Sequence, residues 1–328
     1  MDAPIAAPRP PFDALVASGT PVLGDCSTGT RLRLQSPLPS DPDLGLVPTV
    51  EHPLGPAAVQ AIAGSYAATA GAFGLPILID APTWWARTDR LERAGRDPSE
   101  IDAVMARCIA AVLPLRAHPG VHLGAMIGPS TDGYQGDRVD RGAATSYHHR
   151  HVEAVVANPV DVVLAATFST ADDLGAAASA LADSALPYVL GPVVDADGNL
   201  PDGTPLADAI DQIESDVRRA PSHWAICCTH PRVAAAALER TGSRSAAAHA
   251  RVRQVKGNGS EAAAAERDAA QRVLCDEPEP WAEATLRLHD DHGVNVLGGC
   301  CGTDDRHLLS VAIRLADRAG ATPVGPVR

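Results

Sequence analysis

Residues 161–194 read DVVLAATFSTADDLGAAASALADSALPYVLGPVV and contain the unit that decides the fold. Two apolar runs, DVVLAATF from Asp161 and PYVLGPVV from Pro187, enclose a segment of helix-forming composition. The runs are apolar almost throughout, which is typical of strands that are buried on both faces of a parallel sheet. The stretch therefore predicts a strand, a crossover helix and a second, parallel strand.

The same alternation extends along the rest of the chain. Six further apolar runs are PVLGD from Pro21, PILID from Pro76, VHLGAMIG from Val121, WAICC from Trp224, RVRQVKGN from Arg251 and VNVLGGCC from Val294. Helix-forming segments lie between the runs, for example those that begin near Ala57, Ser99 and Asp304. Eight strands that alternate with helices predict an α/β fold, a single (βα)8 TIM barrel, with an open doubly wound sheet as the alternative.

The domain organisation follows from the absence of any linker between halves of different composition. We expect an irregular, proline-containing lead-in over residues 1–20 and one barrel domain over residues 21–328. Residues 195–205 form a polar stretch that predicts a loop after the fifth strand. Residues 234–272 are rich in alanine, arginine and glutamate, which predicts surface helices around a modest strand.

Composition and charge restrict the classes of partner. Lysine and arginine total 27 against 40 aspartates and glutamates, a formal charge of −13 that repels nucleic acid and anionic membrane surfaces. The N-terminal segment lacks the apolar core of a signal peptide, and no run approaches the roughly 18 apolar residues of a membrane-spanning helix. Seven cysteines with two adjacent pairs do not suit a disulfide framework, which indicates a reducing cytoplasm. The sequence leaves the oligomeric state open.

The strongest chemical signal is GGCCGTD, residues 298–304, at the C-terminal end of the eighth strand. Function in parallel barrels lies at that edge, and the flanking glycines allow Cys300 and Cys301 to turn towards one point. Cys227 or Cys228, at the end of the sixth strand, would supply a third sulfur from the same rim. Three thiolates and one open position are typical of a catalytic zinc site.

Two other interpretations of these cysteines remain open at this stage. The thiols could be buried cysteines that act as small hydrophobic side chains. His230, two residues after Cys228, is an alternative metal ligand or a residue of a surface turn.

Three motifs resemble the homocysteine S-methyltransferase family of zinc barrels. They are GGCCGT from Gly298, ICCTHP from Ile226 and GDCSTGTRL from Gly24, and the first is the most specific. The resemblance implies Zn2+ bound by Cys228, Cys300 and Cys301, with no catalytic residue beyond these ligands. It also implies transfer of a methyl group to the thiolate of homocysteine, a reaction of methionine metabolism. Small molecules are thus the expected partners, with S-methylmethionine or S-adenosylmethionine the first candidates for the donor.

The resemblance also implies substrate-binding residues at the ends of other strands. Asp25 and Cys26 occupy the position of an Asp-Gly-Gly turn, and Thr83 and Trp84 match a threonine followed by an aromatic residue. Asn258 follows the seventh strand and is a further candidate. Trp84 and Trp85 could form part of a cage for a methylated cation, or they could pack the mouth of the barrel.

One departure from the family pattern concerns the acceptor. The family has a glutamate before a threonine at the end of the fourth strand, where it holds the amino group of homocysteine. This chain has Ala166 before Thr167. A demethylase that uses another thiol acceptor is therefore an alternative function, and a zinc-binding barrel without catalysis is a second alternative.

Overall fold

The computed structural model describes residues 9–270 and 272–320, which form one closed barrel. Eight parallel strands follow one another around it in chain order, and β1 closes the barrel by pairing with β8. The strands are β1 Val22–Gly24, β2 Ile77–Ala81, β3 Val121–Ile127, β4 Val162–Phe168, β5 Tyr188–Pro192, β6 His223–Thr229, β7 Val252–Gly257 and β8 Val296–Gly299. The predicted (βα)8 barrel and the position of every predicted strand are confirmed, and the open sheet is excluded.

Helices surround the barrel and join consecutive strands. Between β1 and β4 they include α2 Thr28–Gln35, α3 Val47–Glu51, α4 Gly55–Ala72, α5 Thr88–Arg93, α6 Ile101–Ala110 and α7 Arg141–Val156. Two 3₁₀ helices, Pro98–Glu100 and Leu113–Ala117, flank α6. After β4 follow α8 Ala171–Ala182, α9 Leu206–Asp216, α10 Pro231–Arg244, α11 Ala246–Arg251, α12 Ala264–Ala269, α13 Pro278–His292 and α14 Asp305–Ala319. The predicted surface helices around a modest strand correspond to α10, α11, β7 and α12.

The lead-in differs from the prediction, because a helix, α1 Phe12–Ala17, lies within it. Residues 1–8 of the expected lead-in lie outside the described residues. The Phe12 ring is buried at the N-terminal end of the barrel, with its centroid 5.5 Å from the His122 ring and 6.2 Å from the His223 ring. Burial of this apolar side chain is the reason that the segment folds as a helix rather than remaining irregular.

Apolar side chains fill two separate layers. The larger core lies between the sheet and the helices, and a smaller cluster fills the interior of the barrel. The interior cluster consists of Phe12, Val16, Val22, Leu78, Val162, Leu164, Ala166, Val189, Ala225, Cys227 and Val296. Buried polar side chains, among them Asp25, Asp80, Thr167 and Lys256, lie at or near the C-terminal ends of the strands. Among the described helices, none has both the length and the apolar character needed to cross a bilayer.

Candidate metal centre

Three cysteine sulfurs converge at the C-terminal rim of the barrel. The Sγ atoms of Cys228, Cys300 and Cys301 all lie within 4.8 Å of one another, and those of Cys228 and Cys300 are 2.8 Å apart. Cys228 is the penultimate residue of β6, whereas Cys300 lies directly after β8, 72 residues later in the chain, and Cys301 is the next residue. The structure thus brings together the three residues for which the family resemblance predicted a metal site.

Irregular backbone at two strand ends directs side chains into this cluster. The pairing of β6 with β7 skips Cys228, and the pairing of β4 with β5 skips Thr167. These two residues are also the non-glycine residues with positive φ in the described chain, at 51° and 64°. A bulge turns a side chain away from the regular alternation of the strand. Thr167 Oγ1 therefore lies 3.2 Å from Cys228 Sγ, and backbone strain is concentrated at the site.

The loop after β8 places the other two sulfurs. The Cys300 N–H donates to the Gly257 carbonyl at 2.7 Å, and the Cys301 carbonyl accepts from the Gly259 N–H at 2.9 Å. Gly302 follows at φ +87°, in the left-handed region that suits glycine. A Cβ atom at that position would lie 2.9 Å from the Leu274 carbonyl oxygen. The loop is thus bound to β7 on one side and closely packed on the other.

Hydrogen bonds among the thiols favour a thiolate at one of the three positions. Donation from the Cys300 thiol, followed by that from Cys301, holds the pKa of Cys228 well below its ordinary range. Thr167 and Tyr134 donate to the same sulfur and act in the same direction. The same bonds retain the protons of the donors, so that the pKa of Cys300 is well above its ordinary value and that of Cys301 is about 12.

Two side chains from neighbouring loops complete the surroundings of Cys228. Tyr134, in the loop between β3 and α7, hydrogen-bonds to the Cys228 sulfur, and burial raises the pKa of its phenol well above 10. The guanidinium of Arg267 on α12 lies 5.7 Å from the centre of the tyrosine ring. The Asn258 side-chain amide donates to the Cys228 carbonyl, and the Asn258 carbonyl accepts from the Trp281 indole at 2.9 Å. Asn258, a predicted substrate residue, thus contacts the backbone of a cysteine of the cluster.

The two residues predicted after β1 have different surroundings. Asp25 is buried and accepts a 2.6 Å hydrogen bond from the Lys256 ammonium. Burial raises the pKa of Asp25 to about 6, although Lys256 opposes that shift. Cys26 is buried in the core outside the sheet. Its sulfur packs against Gly299, so closely that a Cβ atom added to Gly299 would lie 2.7 Å from it. The Cys26 side chain therefore belongs to the core rather than to the rim.

The residues predicted after β2 pack the barrel mouth. Thr83 is buried, and its hydroxyl donates to the Met126 carbonyl and accepts from the Met126 N–H, both at 2.8 Å. The Trp84 indole donates to the Ala166 carbonyl at 2.8 Å and contacts Trp85 edge to face, with ring centroids 4.8 Å apart. Trp84 therefore lies against the residue that stands in the place of the family's glutamate.

The tryptophan pair, which could have formed a cage for a methylated cation, contacts a positively charged side chain of the protein itself. The Arg90 guanidinium is 4.2 Å from the Trp85 ring centre and 5.5 Å from that of Trp84. Trp85 also packs so closely on Gly45 that a Cβ atom there would overlap its ring. The packing role that the sequence left open thus applies to Trp85, and Trp84 is the indole that borders the interior of the barrel.

His230 does not join the cysteine cluster and does not occupy an exposed turn. Its side chain is buried, and its Nδ1 accepts from the Arg232 N–H as the cap of α10. The expectation of a surface turn is therefore wrong, because the histidine is buried at the helix terminus just inside the rim.

Several polar residues near the cluster were not singled out from the sequence. Tyr134 carried no recognisable signal, since it lies in a long loop. Thr167 was noted only as the neighbour of Ala166. Lys256 was noted only as part of the segment that ends in Asn258. Asp80 did offer a signal, because it is an ionisable residue in an otherwise apolar strand.

Comparisons with known proteins bear on the family and on the fold of this chain. A family model described as homocysteine S-methyltransferase matches residues 22–315. The homocysteine methyltransferase MmuM from Escherichia coli, in its metallated form, has a TM-score of 0.73 at 18% sequence identity, over 93% of this chain and 100% of that one. Its apo form has a TM-score of 0.67 at 16% identity, with the same coverage. At these identities the structural likeness shows the fold alone.

The assignment to a family therefore rests on the family model. No curated protein sequence matches the chain significantly. The family model, in contrast, spans all eight strands and includes the three cysteines of the cluster. This chain belongs to the homocysteine S-methyltransferase family, whose members are enzymes of methyl transfer.

Proposed function

We propose that this chain transfers a methyl group from a small sulfonium donor, S-methylmethionine or S-adenosylmethionine, to the thiolate of homocysteine. Zinc bound by Cys228, Cys300 and Cys301 is part of the proposal. The observation that carries it is the convergence of these three sulfurs at the functional rim of a barrel of this family. The formal net charge of −13 disfavours nucleic acid as a partner and agrees with small-molecule partners.

The donor set fits zinc. Thiolates are soft ligands that zinc prefers, and three of them with one open position are typical of a catalytic zinc site. In the part of the chain that the structure describes, no fourth histidine, cysteine or acidic residue joins the group. When bound, zinc would lower the pKa of an incoming thiol and hold it as a thiolate.

The residues of the chain prepare the site for this chemistry. The bonds from Thr167 and Tyr134 stabilise negative charge on Cys228, and Asn258 fixes the backbone that carries it. Cys228 is buried, whereas Cys300 and Cys301 are only partly buried, so that the cluster can be approached from the side of the β8 loop.

The reaction balances without another reactant. A bond forms between the acceptor sulfur and the methyl carbon while the bond from that carbon to the donor sulfur breaks. The bonding electrons stay with the donor, which leaves as a neutral thioether. The proton of the acceptor thiol is released when the thiolate forms.

A second candidate is demethylation of another methylated metabolite with a different thiol as acceptor. It is favoured by Ala166, since the end of β4 offers no carboxylate for an amino group and is covered by the Trp84 indole. Under this alternative the metal centre is the same, and only the acceptor changes.

The test compares zinc content and methyl transfer in the wild type and in the Cys300→Ser/Cys301→Ser variant. We expect one zinc per wild-type chain and formation of methionine from homocysteine and S-methylmethionine or S-adenosylmethionine. Both should be lost in the variant. Cys275→Ser is the matched control, because Cys275 is an exposed cysteine outside the cluster.

Each other outcome contradicts a specific part of the proposal. Zinc binding without methylation of homocysteine, but with methylation of another thiol, would favour the demethylase. Zinc binding without transfer from any methylated donor would indicate a non-catalytic barrel. Absence of zinc from the wild type would overturn the metal centre itself.

A further inference from the structure

A buried ionic cluster lies inside the barrel beside the metal centre, and neither the family nor the proposed chemistry requires it. The Lys256 ammonium on β7 donates to Asp25 Oδ1 at 2.6 Å and to Asp80 Oδ2 at 2.8 Å. The three side chains are 8%, 5% and 1% exposed, respectively. Burial of three ionised groups costs several kcal/mol per ion, which their mutual attraction repays only when the remaining donors and acceptors also have hydrogen-bond partners.

The strand register places this cluster next to the cysteine-bearing strands. Lys256 pairs with Cys227 of β6 on one side and with Gly298 of β8 on the other. Cys228 and Cys300 therefore lie one and two positions further along the neighbouring strands, towards the rim. A group held by the cluster would thus lie close to a thiol bound at the metal centre.

The cluster has unused hydrogen-bonding capacity. An ammonium has three N–H donors, and Lys256 uses two of them within the part of the chain that the structure describes. Asp80 Oδ1 is buried and has no hydrogen-bond partner among the described residues. A Cβ atom added to Gly124 of β3 would lie 2.1 Å from this oxygen. The glycine therefore leaves room for the Asp80 carboxylate. Buried acceptors without partners are rare and call for an explanation.

The N–H donor and the carboxylate oxygen that lack partners thus belong to two side chains that contact each other. Their complement is a group that carries an anionic acceptor and an N–H donor a few ångströms apart. The α-carboxylate and α-ammonium of an amino acid have this arrangement. The sulfonium centre of a donor has no N–H and cannot satisfy Asp80 Oδ1, so only the amino-acid head group of the acceptor or of the donor has the required groups.

We infer that Asp80 and Lys256 bind the amino-acid head group of the thiol acceptor, the carboxylate of Asp80 accepting from its ammonium and the Lys256 ammonium donating to its carboxylate. Asp25 orients Lys256 from the other side. This inference rests on the proposed methyl transfer to a thiol. It accounts for Ala166, because the contact with the amino group has moved from β4 to β2.

Acceptor analogues test the inference on the wild-type, zinc-loaded protein. We would measure KM for homocysteine, for 4-sulfanylbutanoate, which lacks the amine, and for 3-aminopropane-1-thiol, which lacks the carboxylate. Since a hydrogen bond to a charged group contributes a factor of roughly ten or more, each analogue should have a KM at least about tenfold above that of homocysteine. Equal KM values for the three thiols would overturn the inference.

Two variants separate binding from structural damage. Asp80→Asn should raise KM for homocysteine and for the aminothiol, and it should leave KM for 4-sulfanylbutanoate nearly unchanged. Lys256→Met should raise KM for homocysteine and for 4-sulfanylbutanoate only. A structural role would change all three acceptors equally, and that result would contradict the inference. Should Lys256→Met not fold, the wild type and Asp80→Asn still decide.

A control variant and a binding measurement complete the design. Asp102→Asn removes a carboxylate that pairs with Arg150 on the outer helices and should change none of the KM values. If no thiol is methylated, the proposed function fails. The affinities of the same three thiols for the zinc-loaded protein, measured by calorimetry, then test the head-group site: homocysteine should bind at least about tenfold more tightly than either analogue. A comparison of two donors, S-methylmethionine with an amino group and trimethylsulfonium without one, shows whether the recognised amine belongs to the donor. An effect of Asp80→Asn on KM for S-methylmethionine alone would overturn the assignment to the acceptor.

Discussion

Two pairs of adjacent cysteines lie near the metal centre: Cys227 and Cys228 near the end of β6, and Cys300 and Cys301 after β8. The β6 pair supplies one sulfur to the cluster, whereas the β8 pair supplies two. Neighbouring residues in a strand point to opposite sides, so one member of the β6 pair faces the barrel interior. That residue is Cys227, which packs in the interior apolar cluster. The second pair lies beyond its strand, in a glycine-containing loop where no alternation applies. A pair of adjacent cysteines within a strand thus supplies one sulfur to the cluster, whereas a pair in the loop after a strand supplies both.

The largest effect that tests this comparison comes from the β6 pair itself. Cys228→Ser should reduce zinc affinity and methyl transfer by at least about 100-fold, because it removes one of three thiolate ligands. Cys227→Ser should bind zinc as the wild type does. It should lose about 1–3 kcal/mol of unfolding free energy, since a hydroxyl replaces a buried thiol. Zinc competition with a chelator and urea unfolding measure the two quantities, and loss of zinc in both variants would break the distinction.

The protonation of the two pairs provides the next test. The pKa of Cys228 is lowered, whereas those of Cys300 and Cys301 are raised, so we expect the β6 sulfur to lose its proton at a lower pH than the β8 sulfurs and to be the thiolate of the three near neutral pH. Zinc binding should therefore release two protons, both from the β8 pair. Affinity should fall by about 100-fold for each unit by which the pH is lowered, as expected for two released protons.

Chelator competition between pH 6.5 and 7.5 measures this slope. A fall of roughly 1000-fold per pH unit would mean that three protons are released. The β6 sulfur would then be protonated like the others, which contradicts the difference between the pairs.

The conformation of the β8 loop should have a moderate effect. Gly302→Ala places a Cβ atom in a left-handed residue, at φ +87° and 2.9 Å from the Leu274 carbonyl. The strain is worth about 1–2 kcal/mol, so that zinc affinity should fall by about tenfold. Gly203→Ala is a matched control, because Gly203 has the same φ of +87° with no atom within 4 Å of the added Cβ. Equal zinc affinity in the two variants would show that the loop does not depend on its close packing.

The smallest effect concerns the hydroxyl beside the β6 sulfur. Thr167→Val keeps the shape of the residue and removes the oxygen that lies 3.2 Å from Cys228 Sγ. One hydrogen bond contributes about 1 kcal/mol, which predicts a loss of roughly fivefold in zinc affinity. Thr241→Val removes a buried hydroxyl from α10, far from the rim, and should leave zinc affinity unchanged. Unaltered affinity in both variants would mean that the hydroxyl does not act on the sulfur.

Most of the architecture could be predicted from local sequence patterns. Eight apolar runs with helices between them predicted the strands and the barrel, because a strand that is buried on both faces is mostly apolar. The helix α1 could not be predicted from its proline-containing surroundings. Its Phe12 folds against His122 and His223, which lie more than 100 residues away in the chain. The periodicity of a short sequence segment carries no information about contacts between residues so far apart in the chain.

The candidate site divides in a similar way. GGCCGTD identified the β8 sulfurs, since glycines around two adjacent thiols are a local and specific signal. The choice between Cys227 and Cys228 came from a family resemblance and not from the residues, because it depends on a bulge at the end of β6. Trp85 could not be separated from Trp84 without knowing that Arg90 and Gly45 pack on it.

The sequence by itself determined the strands, their order around a closed barrel and the thiol chemistry available at its rim. These follow from burial, from the period of each element and from the residue types present. Only the tertiary structure decided which sulfur of the β6 pair joins the cluster, and that Lys256, Asp25 and Asp80 meet inside the barrel. The reason is physical: pairing register, bulges and contacts between distant strands arise only when the sheet closes. Such closure places residues side by side that the chain holds far apart.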